Sequence, residues 1–195
     1  MTQQAMPQKK DNMNNATSPL KAFKRAPSLG LSQWYRGILM TNLAETKDTA
    51  GAFLLNEGML APGTEPPPHV HSREDELMYV LEGKFDVYCG HEGFNVEAGE
   101  CVFLPKFTPH GWVIRSPRLH ILALVTPAGF EEALRGMSKP AQRLELPTGA
   151  ATYSDADPEE IAQLLGEYGV RILAPNEVAD QMPLYPKPLP PKPGK

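Results

Sequence analysis

Two histidines and a glutamate lie close together in the middle of the chain. His69 and His71 are separated by one residue, so on a β-strand both side chains leave the same face. Glu76 follows after four residues, enough for a bend or a continuing strand to bring its carboxylate to the same point. Imidazoles and a carboxylate that converge are ligands suited to Fe, Mn, Co, Ni, Cu or Zn. The spacing therefore predicts a site for one divalent transition metal.

A second stretch, GECVFLPKFTPH, runs from Gly99 to His110 and offers a further histidine after a proline-bounded apolar run. Three neutral imidazoles and one carboxylate around a divalent ion leave a net charge of +1 and open coordination positions. An open position distinguishes a catalytic metal site from a closed structural one. The predicted ligands are His69, His71, Glu76 and His110.

Short β-favouring runs with turn residues between them fill the chain from residue 34 to residue 125. The run KFDVYC from Lys84 to Cys89 alternates apolar and polar residues, which is typical of a strand with one buried face. Many short strands at close spacing indicate a sandwich or small barrel. We therefore predict an all-β fold, an antiparallel β jelly-roll barrel with one or two C-terminal helices.

The pattern divides the chain into four parts. Residues 1–28 are polar and aperiodic, which predicts a disordered N-terminal segment. Residues 29–139 form the barrel domain, and residues 140–182 form a helical extension whose main helix begins after Asp157. Residues 183–195 are rich in proline and lysine, which predicts an extended, solvated tail. Alternatively, the tail is a ligand for an SH3-type domain, but a PxxP pattern alone is weak evidence for such binding.

Strand alternation also predicts a pocket beside the metal. Every second residue of a strand points to the same face, so four apolar side chains after Glu76 and His110 share the face of the ligands. Phe53 and Leu55 are further candidates for the pocket wall. Such a lining suits an aromatic or otherwise apolar substrate, although the same side chains can simply fill a small barrel. The predicted pocket residues are Phe53, Leu55, Met78, Val80, Trp112 and Ile114.

Composition argues against several classes of partner. The formal net charge is −4 without a basic run, so nucleic acid is not expected. No apolar segment approaches the roughly 18 residues that span a bilayer, so no membrane association is expected. Two cysteines do not make a disulfide framework, and a reducing cytoplasm is the predicted location.

The two histidine-containing stretches resemble the two sequence motifs of the cupin superfamily. The first has Gly63, His69, His71, Glu76 and Gly83 at the family spacing, and the second has Gly99, Pro105 and His110. Phe107 stands where the family usually has glycine, and Ile114 where it usually has asparagine. Neither position is a ligand in the family, so these differences affect the loop and the pocket. The resemblance covers roughly residues 29–139.

The chain is similar in particular to single-domain bacterial cupins of the quercetin-dioxygenase-like type. The resemblance implies a metal-dependent dioxygenase that adds dioxygen to an aromatic or enolic substrate, and a homodimer. It gives Glu76 a second role as the catalytic base, with a pure ligand as the equal alternative. Glu74 and Asp75 are candidates for orienting a ligand imidazole, or else are solvated charges.

Other functions remain open because cupins carry diverse activities on one fold. An isomerase or epimerase of a small polar substrate needs polar groups that face the metal. A non-catalytic binding module is the other alternative, and a fully ligated or absent metal distinguishes it.

Overall fold

The structure, a computed structural model, describes residues 20–189 and contains two antiparallel sheets. Twelve strands form them: β1 Ser32–Tyr35, β2 Ile38–Ala44, β3 Leu54–Leu60, β4 His69–His71, β5 Asp75–Glu82, β6 Lys84–Cys89, β7 Glu92–Glu97, β8 Cys101–Leu104, β9 His110–Ile114, β10 Leu119–Thr126, β11 Ser138–Pro140 and β12 Val170–Ile172. Seven strands make the larger sheet, in the order β11-β1-β2-β3-β10-β5-β8. The other five make the smaller sheet, in the order β12-β4-β9-β6-β7. This architecture confirms the predicted all-β antiparallel fold.

The core lies between the two sheets because successive side chains of a strand point to opposite faces. In β3 the even-numbered residues from Leu54 to Leu60 are buried and the odd-numbered ones are partly exposed. The inward side chains of both sheets meet in one apolar cluster that includes Leu54, Val80, Phe85 and Leu119. These residues therefore hold the two sheets, and with them the metal-binding strands, face to face.

Four short α-helices join or follow the strands: α1 Thr46–Thr49, α2 Glu131–Gly136, α3 Pro158–Glu167 and α4 Pro175–Gln181. The helix predicted after Asp157 is α3, and the Asp157 carboxylate caps it by accepting a hydrogen bond from the backbone of Glu159. Three helices follow the last long strand, one more than the highest number predicted. The four-residue helix α1 connects β2 to β3.

Two short strands after the last long one, β11 and β12, were not predicted from the sequence pattern. Strand β12 pairs with β4 along its whole length and so extends the smaller sheet at the strand that carries His69 and His71. Strand β11 pairs with β1 at the edge of the larger sheet. A run of three residues is too short to show the apolar–polar alternation of a strand. Such a strand is therefore identified only by its pairing with a strand distant in sequence.

Both ends of the described chain contact the rest of the fold. Residues 20–28 have no helix or strand, yet Arg25 is anchored by hydrogen bonds to Asp48 and to the carbonyl of Leu43. The proline- and lysine-rich segment turns back on the barrel through Leu189 instead of extending into solvent. Met182 is fully buried, and the ring of Tyr185 packs edge-on against Tyr88. The remainder of both predicted segments, residues 1–19 and 190–195, lies outside the described residues.

Between residues 20 and 189 no helix combines the length and apolar character needed to cross a bilayer.

Candidate metal centre

Three strands bring the four predicted ligands to one point inside the barrel. His69 and His71 leave the same face of β4, and His110 at the start of β9 is the direct cross-strand partner of His69. Glu76 reaches the cluster from β5 in the opposite sheet. One ligand atom from each of the four residues lies within 4.8 Å of the others, and all four residues are buried. This His/Glu cluster is compatible with a metal site.

Each imidazole is oriented by a hydrogen bond at its Nδ1 atom. The Nδ1 of His69 lies 2.9 Å from the carbonyl oxygen of Pro67, and the Nδ1 of His110 lies 3.0 Å from that of Thr108. Since a carbonyl can only accept, both Nδ1 atoms carry the proton, which leaves the Nε2 lone pairs free. The Nδ1 of His71 pairs at 3.0 Å with the carboxylate of Glu74. All three rings therefore direct Nε2 toward the centre of the cluster.

The buried atoms at the centre have no partner within the described chain. The Nε2 atoms of His71 and His110 and the Oε2 atom of Glu76 are inaccessible to solvent and make no hydrogen bond. The Glu76 oxygens lie 3.5 Å and 3.6 Å from these two nitrogens, too far for a normal hydrogen bond. Buried polar atoms left unpaired are costly, and a cation between them removes that cost. The donor set therefore fits a divalent transition metal.

The pKa values of the histidines agree with a site built for a cation. Burial, followed by the neighbouring imidazoles, holds the pKa of His69 well below its usual range, and burial also lowers that of His110. Both rings are thus neutral and able to donate a lone pair. Burial also lowers the pKa of His71, but the charge of Glu76 and the hydrogen bond to Glu74 outweigh it and raise that pKa. The carboxylates that favour a proton there favour a metal cation equally.

Glu74 and Asp75 have different roles although they are adjacent in sequence. Glu74 is buried and bonds the ligand His71. Asp75 turns away and accepts hydrogen bonds from the backbone nitrogen and the Nζ of Lys106. Of the two, only Glu74 orients a ligand imidazole.

Phe107 occupies the position where the motif usually has glycine, and the backbone there shows why glycine is usual. Its φ angle is 65°, in the left-handed region that disfavours side chains with a Cβ. Its backbone nitrogen donates a 2.7 Å hydrogen bond to the carbonyl of His71, so the turn supports the ligand strand. The phenylalanine side chain itself is exposed.

A cavity of about 110 Å³ opens beside the ligands between the two sheets. Phe130 lies edge-on against the ring of His71, with centroids 5.0 Å apart, and Trp112 lies against His69. Apart from His69 and Glu76, the described residues that line the cavity include no charged or titratable side chain other than the hydroxyls of Tyr35 and Tyr153. The space next to the candidate metal centre is thus mainly apolar.

The structure places the six predicted pocket residues in three different environments. Met78 and Trp112 line the cavity. Val80 and Ile114 are buried in the apolar core without reaching it. Phe53 and Leu55 point away, because the inward residues of β3 are the even-numbered ones. The β3 part of the cavity wall is made instead by Asn56, Gly58 and Leu60.

Several cavity residues were not identified from the sequence. Phe130 and Leu134 come from the segment that leads into and forms α2, and Tyr153, Leu165, Val170 and Ile172 come from the C-terminal extension. In the sequence Leu165 belongs to an apolar stripe at helical spacing, which indicates packing against the barrel but not a cavity. Asn56 lies between the buried residues Leu54 and Gly58, and a polar residue at an inward position is the signal that could have identified it.

Comparison with known proteins agrees with this geometry. The cupin domain family matches residues 56–125. Quercetin 2,3-dioxygenase of Bacillus subtilis is 24% identical over 98 residues, which cover 50% of this chain and 29% of that protein. An uncharacterized protein of Methanocaldococcus jannaschii is 32% identical over 56 residues, 29% of this chain and 45% of that protein. The aligned region thus spans less than half of either relative.

Among solved structures, an RmlC-like cupin from Shewanella frigidimarina is 19% identical, with a TM-score of 0.48. The match covers 57% of this chain and 96% of that one.

Proposed function

We propose that this chain, which belongs to the cupin superfamily, is a metal-dependent dioxygenase acting on an aromatic or enolic substrate. The observation that carries the proposal is the cluster of His69, His71, Glu76 and His110, of which His69 and Glu76 line an apolar cavity. When bound, a divalent metal supplies Lewis acidity and a template for the reactants. The likeness to a quercetin 2,3-dioxygenase supports oxygen chemistry of the quercetinase type.

The cavity wall favours an apolar substrate and limits the access of water. Met78, Trp112 and Phe130 surround the ligands on the cavity side. No lysine, arginine or aspartate belongs to the described lining, so this wall offers no counter-ion to an anionic sugar derivative. This composition argues against an isomerase or epimerase of a small polar substrate and favours a ring or an enol.

Glu76 is placed to hold a proton as well as a metal. Among the described residues that line the cavity, Glu76 is the one with a carboxylate. It is 7% exposed, and its Oε2 atom has no hydrogen-bond partner. A carboxylate has two oxygens, so one can act as a ligand while the other accepts the proton of a substrate hydroxyl. We assign to Glu76 the role of general base.

The test is oxygen uptake by protein purified without oxygen and reloaded separately with Fe(II), Mn(II), Co(II), Ni(II), Cu(II) or Zn(II). Catechols, β-diketones, simple enols and flavonols make up the substrate panel. We expect uptake that depends on both metal and substrate, and its loss in Glu76→Gln. Bound metal without uptake for any pair would contradict the oxygenase and favour a binding module or an isomerase.

A double variant tests the ligand assignment separately from activity. His69→Ala with His110→Ala removes two of the four ligands, so we expect stoichiometric metal binding to be lost while the far-ultraviolet circular dichroism of the β-fold remains. An unchanged metal content would show that the ligands lie elsewhere. The homodimer and the cytoplasmic location remain predictions, which sedimentation equilibrium and cell fractionation can check.

A further inference from the structure

One polar side chain in the cavity wall has no role in the metal centre. Asn56 lies on β3 with its side chain turned inward; it is 4% exposed, and its Oδ1 atom has no hydrogen-bond partner within the described chain. A buried amide that makes no hydrogen bond destabilises the fold. A side chain retained at such a cost indicates a partner that binds from within the cavity.

The neighbouring polar groups do not supply that partner. Asn42 is the direct cross-strand neighbour of Asn56, but its Nδ2 atom donates to the carboxylate of Glu45 at 2.8 Å. The other two polar side chains of the wall, Tyr35 and Tyr153, form a hydrogen bond between their own hydroxyls. Asn56 is thus the polar cavity residue outside the ligand cluster that is left without a partner.

The strand register places Asn56 at a distance from the metal ligands. Strand β10 lies between β3 and β5, and its Ala123 pairs with both Asn56 and Met78, whereas its Val125 pairs with Glu76. Asn56 is therefore two strands across and two residues along from Glu76. With spacings of about 4.8 Å per strand and 3.4 Å per residue, the two backbone positions are about 12 Å apart along the sheet. Both side chains leave the same face of the larger sheet and line the cavity.

The size and neutrality of the cavity define what fits between the two ends. An apolar cavity of about 150 Å³ holds one benzene molecule, and this cavity is of that order, at about 110 Å³. No charged side chain of the described lining lies outside the ligand cluster. A single uncharged ring or an enol of similar size matches this volume.

We propose that Asn56 is a specificity-determining residue that hydrogen-bonds a neutral hydroxyl group of a single-ring substrate, at the end remote from the metal ligands. A hydroxyl matches this site because it donates to the unpaired Oδ1 and can accept from Nδ2 of the same amide. The inference rests on the proposed function, since it assumes that the substrate approaches the metal with its other end.

Two probes of almost equal shape test this assignment. 4-(Hydroxymethyl)catechol and 4-ethylcatechol differ in one hydroxyl in place of a methyl group. Binding is measured by calorimetry with the Zn(II)-loaded protein, so that affinity is read without oxygen chemistry. We expect the wild type to bind the hydroxymethyl probe about tenfold more tightly, and Asn56→Leu to reverse the preference.

Asn42→Leu is the matched control, because Asn42 is equally buried but does not line the cavity. We expect it to keep the wild-type preference and to lower the melting temperature, since it removes the hydrogen bond to Glu45. Asn56→Leu should instead raise the melting temperature of the probe-free protein, because it removes an unpaired buried amide.

Specific outcomes would overturn the inference. A wild-type preference that persists in Asn56→Leu would show that a group other than Asn56 recognises the hydroxyl. Equal affinity of the wild type for the two probes, or binding of neither probe, would also refute the inference. If the protein takes up oxygen but Asn56→Leu keeps the wild-type probe preference, only the role of Asn56 is refuted. If the wild type shows the preference and Asn56→Leu reverses it, but no oxygen is taken up, only the proposed dioxygenase function is refuted.

Discussion

The orientation of the ligand imidazoles is decided by residues only two or three positions away. His69 and His110 each bond a carbonyl two residues earlier, and His71 bonds the side chain of Glu74 three residues later. Outer partners of this kind hold the ring and increase its basicity. Glu74 is the one such partner in the cluster that is a side chain, so it can be changed without altering the backbone.

We expect Glu74→Leu to weaken Zn(II) binding by about 10- to 100-fold, because His71 loses both its orientation and the nearby negative charge. A competition titration against a chromophoric chelator measures the affinity. Glu74→Gln keeps an acceptor oxygen and should recover part of the loss.

Asp75→Asn is the control for this experiment. Asp75 neighbours Glu74 in the chain but bonds Lys106 and not a histidine. Its Zn(II) affinity should stay close to that of the wild type. Equal weakening in both variants would indicate a general effect of charge rather than positioning by Glu74.

At the scale of elements, the shortest elements near the site depend on partners far away in the sequence. Strand β4 has three residues, pairs with β9 through His69 and His110, and gains its second neighbour from β12, about a hundred residues later. Helix α1 is similar, since Glu131 of α2 accepts a 2.7 Å hydrogen bond from the backbone of Thr46, its first residue. The other carboxylate oxygen of Glu131 accepts from Gly129 at 2.9 Å.

Glu131→Gln should lower the free energy of unfolding by about 1–2 kcal/mol at pH 7, because one amide NH₂ group would then face a backbone N–H. Burial raises the pKa of Glu131, but its hydrogen bonds outweigh burial and hold that pKa below its usual value. The carboxylate therefore stabilises the fold fully above the unfolded pKa of about 4.3. This contribution is lost as the pH falls through the folded pKa.

Urea denaturation of wild type and variant between pH 3 and pH 7 measures this difference, which should narrow below about pH 4. Glu132→Gln is the control, since Glu132 is exposed and pairs with Arg135 at the surface. It should change stability by less than about 0.5 kcal/mol at every pH. A difference for Glu131→Gln that is constant across the pH range would contradict the role of the charge.

At the scale of the whole molecule, the C-terminal extension contacts both the cavity and the outer face of the smaller sheet. Leu165 of α3 and the residues of β12 cover the cavity. After α4 the chain crosses the outer face of β6, where the hydroxyl of the fully buried Tyr88 donates a 2.6 Å hydrogen bond to the carbonyl of Lys187. The extension is therefore part of the barrel's packing, and the cavity is incomplete without it.

We expect Tyr88→Phe to lower the free energy of unfolding by about 1 kcal/mol and to speed hydrogen exchange in a peptide covering residues 183–189. The reason is that the variant keeps the ring packed but removes the hydrogen bond that the hydroxyl donates to Lys187 and the one that it accepts from Arg115. Tyr185→Phe makes the same chemical change in the ring that packs against Tyr88 and removes no hydrogen bond found in the structure. Exchange that is unchanged in Tyr88→Phe, or equally fast in both variants, would refute this anchoring role.

The residue types and spacing determined the donor set and most of the strands. His69 and His71 lie on one face of one strand, so strand geometry alone brings them together, and KFDVYC alternates clearly enough to identify a strand. Glu76 is close in sequence but reaches them from the opposite sheet, so its place in the cluster depends on the fold. The stretch AFLLNEGML was ambiguous because apolar residues occupy both its odd and its even positions. Only pairing with β2 and β10 turned Leu54 and Asn56 inward and Phe53 and Leu55 outward.

What only the tertiary structure decided is what surrounds the ligands. The three residues of β12 are too few to show a hydrophobic periodicity. The apolar face of α3 does not specify which surface it packs against, and the local sequence of a proline-rich tail does not specify where it docks. These features form through contacts between residues about a hundred positions apart, whose free energy depends on shape and burial and not on local pattern. The sequence by itself thus determined the candidate metal chemistry, and the fold determined the cavity and the unpaired amide of Asn56 that faces it.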